Sequence, residues 1–195
     1  MEKIVIIGSA GVGKSTLARD LGFILQINVV HLDRIFWEPG WKEKPRDVRI
    51  EILQELVRER QWIIEGTYLG SSEPRLNAAD AIIFLDIHPA LCLKRIFKRH
   101  YEYRGYSRRD IPEGCYDKLS LFRILKVLGF PFKGKRELKQ MLLLHELGSK
   151  HIIRLSSKKE AEDFLALVDA QTNGKNNSAE TPSTPRNKQL ALARR

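Results

Sequence analysis

Cysteine and long apolar runs are both scarce in this chain. It has two cysteines, Cys92 and Cys115, among 195 residues, and their spacing matches no metal or redox motif. We therefore expect two reduced thiols, as is typical of a cytoplasmic protein. No apolar stretch approaches the roughly 18 residues that a membrane-spanning helix needs, so we predict no membrane segment.

Acidic residues are also fewer than basic ones. The chain has 24 Asp and Glu against 34 Lys and Arg, which gives a formal net charge of +10. Segment 171–195 contains five basic residues and one acidic residue, so it contributes +4 of this charge. The first 170 residues contribute the other +6. This balance suits a protein that binds phosphates, and it would also permit weak, nonspecific binding to nucleic acid. Charge alone leaves both possibilities open.

Segment 171–195 differs in composition from the rest of the chain. It is poor in apolar residues and rich in Asn, Thr, Pro and Ser, a composition that cannot bury a core. We predict a disordered basic tail there and one domain over residues 1–170. A length of 195 residues and a hydrophobic fraction of 43% fit a single domain with a substantial core.

The sequence GSAGVGKS at positions 8–15 carries the strongest functional signal. It fills every position of the G-x-x-x-x-G-K-[ST] pattern between a strand-like run and a helix-forming segment. Glycines there allow backbone N–H groups to surround a polyphosphate, and the N-terminus of the following helix adds its positive dipole. We predict a phosphate-binding P-loop rather than an ordinary glycine turn. Its nucleotide-binding residues would be Gly8, Ser9, Ala10, Gly11, Val12, Gly13, Lys14, Ser15 and Thr16.

Lys14 and Ser15 have separate predicted roles in this loop. Lys14 would act as a catalytic residue that reaches the β- and γ-phosphates of ATP, and the Ser15 hydroxyl would hold Mg²⁺. The chain is therefore expected to use ATP and Mg²⁺.

Five short apolar runs alternate with helical patterns along the chain. Strands that look buried and are joined by helices predict a parallel sheet with helices on both faces. The expected fold is a three-layer α/β P-loop NTPase fold with a five-stranded parallel sheet. The predicted strands are 3–7, 28–32, 61–65, 81–86 and 151–155.

The region after the fourth predicted strand departs from this alternation. Pro89 can open a helix, a polar basic loop follows at 104–114, and two separate helical segments are predicted around 117–129 and 135–147. Long irregular loops in compact domains are usually functional or disordered. We interpret residues 95–115 as a basic lid within a helical lid region.

Three carboxylates lie at the carboxyl ends of predicted strands, where parallel α/β folds gather their functional groups. Asp33 could orient an acceptor hydroxyl, accept its proton or hold a water of Mg²⁺, and alternatively it could cap a short helix. Glu65 is predicted to join Ser15 in the Mg²⁺ shell, the alternative being a solvated acid at a strand end. Asp86 ranks third, because its position before Pro89 also suits a helix cap.

Arg95 and Arg99 are four residues apart, so a helix would project both from one face. Phosphoryl transfer needs cations around the developing charge, and guanidinium groups suit phosphate oxygens. We predict catalytic roles for this pair, the alternative being a solvated basic face. Three more arginines of the predicted lid could serve the same purpose: Arg104, Arg108 and Arg109.

An aromatic turn follows Asp33 in the sequence. Tyr68, after the third predicted strand, belongs to the same crevice by position and could contact the acceptor or a phosphate. Trp37 and Trp41, in the turn itself, could line the acceptor pocket and stack on a planar base. They could equally close the core against the next helix. The sequence leaves these two interpretations open.

The P-loop, the five predicted strands and the basic lid together resemble the adenylate-kinase-like branch of P-loop kinases. Four stretches carry a narrower resemblance: HLDRIFWEPGW at 31–41, WIIEGTY at 62–68, ADAIIFLD at 79–86 and the basic run from 92 to 115. They are similar to small bacterial proteins known as DNA topology modulation proteins. The resemblance spans about residues 1–165 and implies an ATP-dependent phosphotransferase. It departs at Glu65, where EGTY replaces Asp-Gly-Asn-Tyr, although a longer acid can still contact Mg²⁺ through water.

We therefore predict a cytoplasmic, Mg²⁺-ATP-dependent phosphotransferase that acts on a small molecule, with a nucleotide or nucleoside as the first choice by analogy. Positioning and charge neutralisation carry most of such catalysis, so no covalent nucleophile is required. Two alternatives stay open, namely a nucleotide-responsive DNA-binding or topology-modulating protein and an NTPase without a small-molecule acceptor. No recognisable motif for reading DNA supports the first, and the aromatic turn argues mildly against the second. The sequence does not determine the oligomeric state.

Overall fold

Helices and strands alternate along most of the chain. The computed structural model describes residues 1–103, 111–115, 121–146 and 150–179. In chain order the elements are β1 (Lys3–Gly8), α1 (Lys14–Leu25), β2 (Val29–His31), α2 (Leu32–Phe36), β3 (Trp37–Glu38), β4 (Lys42–Glu43), α3 (Arg46–Leu56), β5 (Trp62–Glu65), α4 (Glu73–Ala78), β6 (Ala81–Leu85), α5 (Pro89–Glu102), α6 (Leu121–Gly129), α7 (Lys135–Glu146), β7 (His151–Leu155) and α8 (Lys158–Ala179). A 3₁₀ turn spans Leu69–Ser71, and a π-helical turn spans Phe130–Gly134.

Five strands form one parallel sheet in the order β2-β5-β1-β6-β7. The central strand β1 is buried on both faces, with Ile4 and Ile7 at 0% exposure. Burial on both faces explains why these strands appear in the sequence as continuous apolar runs rather than as alternating patterns. The predicted five-stranded parallel sheet is confirmed.

Helices cover both faces of this sheet. On one face, α1, α5 and α8 pack through residues that include Leu21 and Ile96. On the other face, α3, α4 and α7 pack through Leu53, Leu76 and Leu138. The result is the predicted three-layer α/β arrangement. Across the described ranges, no helix combines the length and the apolar character needed to cross a membrane.

A small hairpin lies outside the main sheet and was not predicted. Strand β3 pairs antiparallel with β4, so that Trp37 faces Glu43. The turn between them uses the left-handed backbone region at Gly40 (φ 81°) and Trp41 (φ 64°). Strands of two residues are too short to produce a period-two pattern, so the sequence carried no signal for them.

The two helical segments predicted after the basic loop are joined rather than separate. Helix α6 passes through the π-helical turn directly into α7. Pro131 lies at the start of the π-helical turn, and helical paths commonly change geometry at proline and at π-helical turns. Residues 117–120 and 147, which also fall within these predictions, lie outside the described residues.

Helix α8 continues to Ala179, past the tail boundary predicted at residue 171. Thr172 Oγ1 donates to the carbonyl of Val168 at 2.9 Å, and Asn173 Nδ2 donates to Asp169 Oδ1 at 3.2 Å. The Asn173–Asp169 contact is a side-chain pair that supports a helix between successive turns, and composition alone does not reveal such pairs. The boundary between domain and tail stays a prediction. The disordered tail stays a prediction for residues 180–195, which lie outside the described residues.

Asp86 joins three elements at the end of β6. Its carboxylate accepts from Lys135 Nζ on α7 at 2.6 Å and from Arg154 Nε on β7 at 2.8 Å. Burial raises the pKa of Asp86, but the hydrogen bonds and charges of these two cations outweigh burial and hold the pKa below its ordinary value. The helix cap considered for Asp86 is wrong, because His88 caps α5 by accepting from Ala90 N–H.

Replacing Asp86 with asparagine should lower the free energy of unfolding by about 1 kcal/mol at pH 7, because Arg154 is half-exposed and solvent weakens the pair. The pKa of Asp86 is lower in the folded state, so the pair stabilises the protein above about pH 4 and loses this effect as acid protonates the carboxylate. Urea unfolding between pH 3 and pH 7 measures the difference. The exposed Asp163→Asn on α8 is the control, and a difference independent of pH would contradict the assignment.

Candidate phosphate-transfer site

The GSAGVGKS segment forms a tight loop between β1 and α1. Gly8, Gly11 and Gly13 have φ values of 149°, 75° and 108°, which side chains rarely adopt. A Cβ on Gly8 would lie 2.5 Å from the carbonyl oxygen of Leu85, and a Cβ on Gly11 would lie 2.6 Å from that of Cys92. Glycine is therefore required here by the close approach of the loop to β6 and α5.

Lys14 folds back over the loop. Its Nζ donates to the carbonyl oxygens of Gly8 and Ser9, each at 3.0 Å. Burial lowers the pKa of Lys14, and the negative charges of Glu65 and Asp33 partly offset this effect. The ammonium group is therefore held at the loop, close to both predicted carboxylates.

Ser9 provides a further sign that the loop is built for a polar ligand. Its side chain is 8% exposed, and its Oγ has no hydrogen-bond partner within the described part of the chain. Buried hydroxyl groups in folded proteins are normally paired. An oxyanion in the loop would pair with this hydroxyl, with the loop N–H groups and with Lys14.

Glu65 connects three elements at the carboxyl edge of the sheet. Its Oε1 accepts from Ser15 Oγ at 2.9 Å and lies 2.8 Å from His31 Nδ1. Its carboxylate is almost buried, at 3% exposure, so the solvated acid at a strand end, weighed as the alternative, is excluded. A hydroxyl beside a carboxylate supplies the hard oxygen ligands that Mg²⁺ prefers.

His31 belongs to this cluster, although the sequence analysis did not select it. It ends β2 and stands directly opposite Glu65 in the parallel register. The available signal was a histidine at the end of a predicted strand. Without the strand order, however, nothing indicated that β2 and β5 are neighbours.

Arg75 supports the loop that follows β5. Its guanidinium group is fully buried, and Nη1 and Nη2 donate to the carbonyl oxygens of Gly66 and Thr67, each at 2.6 Å. Thr67 Oγ1 in turn donates to the carbonyl of Gly8. Burial lowers the pKa of Arg75 to about 10, so the group is still charged at neutral pH. A buried arginine on an amphipathic helix gives no sequence signal, because most arginines there are exposed.

Asp33, Tyr68 and Trp37 form a hydrogen-bonded chain on the predicted acceptor side of the site. Trp37 Nε1 donates to Tyr68 Oη at 2.6 Å, and Tyr68 Oη donates to Asp33 Oδ1 at 2.5 Å. Burial and the charge of Asp33 raise the pKa of Tyr68. The Tyr68 ring also meets Phe36 edge-on at 4.9 Å between centroids. The aromatic turn therefore contacts both the core and a predicted catalytic carboxylate.

Arg95 and Arg99 both lie on α5, on the side of the P-loop. Arg95 Nη1 donates to the carbonyl of Val12 at 2.6 Å. The charge of Arg99 lowers the pKa of Lys14. The α5 face at these two residues is therefore turned toward the loop. The lid arginines Arg104, Arg108 and Arg109 lie outside the described residues.

The end of the predicted lid contacts the hairpin that carries the tryptophans. Cys115 Sγ donates to the carbonyl of Glu38 at 3.2 Å, and Gly40 N–H donates to the carbonyl of Gly114 at 3.4 Å. Trp37 and Trp41 meet edge to face, with 5.4 Å between their centroids. Residues 111–115 are thereby attached to the acceptor side, whereas residues 95–102 of the predicted lid are part of α5.

No protein-family model matches the chain, but two curated proteins are similar to part of it. One is the uncharacterised protein YqaC of Bacillus subtilis, 28% identical over 125 residues, which are 62% of this chain and 68% of that protein. The other is a Pyrococcus furiosus protein named as a candidate adenylate kinase, 32% identical over 119 residues, which are 60% of this chain and 63% of that protein.

Among solved structures, the chain is similar to shikimate kinase from Acinetobacter baumannii in complex with shikimate. The TM-score is 0.51 at 16% identity, and the match covers 93% of this chain and 96% of that one. The chain therefore shares the α/β fold of that kinase. The α/β fold predicted from the sequence is thus confirmed, whereas the narrower resemblance to DNA topology modulation proteins stays a prediction.

Arg75→Met should lower the free energy of unfolding by about 2 kcal/mol, because it leaves the carbonyls of Gly66 and Thr67 without their donors in a buried place. Denaturant unfolding measures this effect. Arg58→Met is the matched control, since Arg58 is 73% exposed and its loss should change stability by less than about 0.5 kcal/mol. Equal effects of the two substitutions would show that Arg75 does not support the loop.

Proposed function

We propose that this protein is a Mg²⁺-ATP-dependent phosphotransferase that acts on a small molecule, with a nucleotide or nucleoside as the first candidate. The supporting observation is the position of Lys14, whose Nζ lies over the P-loop. The negative charges of Glu65 and Asp33 raise the pKa of this amine and partly offset the effect of burial. This arrangement combines a phosphate-directed cation with carboxylates on the metal and acceptor sides. We expect the protein to act in the cytoplasm.

The donor phosphates are proposed to lie in the loop from Gly8 to Thr16. Binding would move Lys14 Nζ from the carbonyls of Gly8 and Ser9 to the β- and γ-phosphates. Such a move exchanges two neutral acceptors for charged ones, which make stronger hydrogen bonds. The unpaired Ser9 hydroxyl would gain a partner at the same time.

Ser15 and Glu65 are the residues proposed to hold Mg²⁺, directly or through water. The described residues contain no group of three or more His, Cys, Asp or Glu side chains arranged for a metal ion. A cation at Ser15 would therefore depend on phosphate oxygens as well, as Mg²⁺ usually does in kinases. When bound, Mg²⁺ would neutralise charge on the phosphates. His31 would keep the Glu65 carboxylate in place through the contact at Oε1.

The acceptor is proposed to bind between Asp33, Tyr68 and the hairpin that bears Trp37 and Trp41. These side chains provide one carboxylate and aromatic surface, which suits a planar molecule with a polar group. The candidate adenylate kinase of Pyrococcus furiosus supports a nucleotide or nucleoside as the first acceptor to test.

Lys14→Ala should reduce turnover of Mg²⁺-ATP by on the order of a hundredfold to a thousandfold, because it removes a cation from the transferring phosphate. The fold should be retained, since Lys14 is the first residue of α1 and is not part of the apolar core. ATP consumption and circular dichroism of both proteins measure these effects. Lys158→Ala on α8, where Lys158 is 75% exposed, is the control. Turnover by Lys14→Ala at the wild-type rate would dismiss the proposal.

Arg95→Ala and Arg99→Ala should each lower kcat by roughly a hundredfold while changing the KM for ATP much less, provided that they meet charge that develops in the transition state. Steady-state kinetics at varied ATP separate the two parameters. Lys98→Ala is the control on the same helix, because Lys98 is 73% exposed and pairs with Glu102. A large rise in KM at unchanged kcat would assign these arginines to ground-state binding instead.

A further inference from the structure

Helix α6 and the π-helical turn after it carry a stripe of exposed apolar side chains that the proposed function does not use. Four residues form this stripe, at intervals of four, three and four positions, which places them on one side of a helix. They are Leu121, Leu125, Leu128 and Phe132, and their exposed fractions are 72%, 57%, 44% and 80%. Contiguous exposed apolar side chains of this size mark an interaction surface.

Only part of the apolar face of α6 packs against the protein. Val127 is 1% exposed and belongs to the core on the face of the sheet that α1 covers. Lys126 is exposed. At 100° for each residue, the stripe lies between the directions of these two side chains. Helix α6 therefore has more apolar surface than its packing against the protein uses.

Positive charge adjoins the stripe where it ends at Phe132. A surface groove there is lined by Phe132, Arg136 and Glu137, among others, and a neighbouring groove is also lined by Arg136, together with Lys139. Both of these basic residues are exposed. Segment 121–143 contains six basic residues and one acidic residue, so it carries +5 of the formal net charge of +10.

We infer that the stripe, together with Arg136 and Lys139, attaches the protein to the surface of an anionic lipid bilayer. The apolar side chains would enter the boundary between headgroups and acyl chains, and the two cations would meet lipid phosphates. Helices that lie in this boundary combine exposed Leu and Phe with nearby Lys and Arg in the same way. Helix α6 has 9 residues, whereas a spanning helix needs about 20, so the attachment lies along the bilayer.

Charge favours a lipid surface over the other possible occupants. Two copies of the chain joined through the stripe would bring together two segments of charge +5, which repel each other. Nucleic acid would attract Arg136 and Lys139, but it would leave the leucines of the stripe in water. An anionic bilayer matches both the charge and the apolar surface. Its fluid boundary also accepts a protruding side chain such as Phe132 without a preformed groove.

Vesicle sedimentation with the full-length protein tests the inference. We expect binding to vesicles of phosphatidylcholine mixed with phosphatidylglycerol. Binding to phosphatidylcholine alone should be weaker by about tenfold or more, because its headgroups carry no net charge to attract the basic residues. Absence of binding to the mixed vesicles would overturn the inference.

Substitutions separate the apolar contribution from the electrostatic one. Leu125→Ser and Phe132→Ser should each weaken binding to the mixed vesicles by about tenfold, because each removes a large apolar side chain from the lipid boundary. Arg136→Gln combined with Lys139→Gln should weaken it by roughly thirtyfold. All four side chains are exposed, so circular dichroism and denaturant unfolding of these variants should match those of the wild type.

Phe23→Ser and Lys158→Gln are the matched controls. Phe23 is 78% exposed on α1, and Lys158 is 75% exposed on α8, so each control removes the same kind of side chain from another part of the surface. Both should bind the mixed vesicles as the wild type does. Wild-type binding by Leu125→Ser and Phe132→Ser would show attraction by charge alone and would overturn the inference.

Two further measurements detect the other occupants. Sedimentation equilibrium could show a wild-type dimer that Leu125→Ser abolishes, without binding to vesicles, and the stripe would then be an interface between copies of the chain. Binding to duplex DNA that requires Arg136 and Lys139 but not Leu125, again without binding to vesicles, would assign the basic residues to nucleic acid. Either result would overturn the inference, and neither would affect the proposed function.

Discussion

The parallel alignment of the five strands is the constraint on which the site depends. Parallel strands end at a common edge, and the register places Glu65 opposite both Ile6 and His31. The P-loop leaves β1 at this edge, while Asp33 follows β2 and Tyr68 follows β5. Residues that are distant in the sequence thereby become neighbours. An antiparallel arrangement of the same strands would separate Ser15 from Glu65.

This edge concentrates charge in a poorly solvated place. Glu65 and Arg75 are almost completely buried, and burial also lowers the pKa of Lys14. Buried charges are costly unless they are paired and hydrogen-bonded. Here Glu65 contacts Ser15 and His31, and Arg75 donates to two backbone carbonyls. Preorganised polar groups of this kind act more strongly on phosphate charge than they would in water.

The fold and the glycine loop between β1 and α1 could be predicted because their signals are local. Apolar runs marked the strands within a few residues, and the glycine spacing of GSAGVGKS can be read directly from the sequence. In the structure, close contacts at Gly8 and Gly11 leave no room for a Cβ. The short strands β3 and β4 were missed because two residues carry no periodicity. The helical extension to Ala179 was missed because contacts between its turns bury little apolar surface.

The sequence alone determined that strands and helices alternate, that residues 8–16 form a P-loop, and that Asp33 and Glu65 belong at strand ends, since periodicity, glycine spacing and strand position are properties of short segments. The tertiary structure decided which of these ends meet. It places His31 beside Glu65 and buries Arg75 against the loop that follows β5. It also links Trp37 to Asp33 by two hydrogen bonds through Tyr68. These contacts join residues from separate elements, and their partners depend on strand order and packing, which no local pattern encodes.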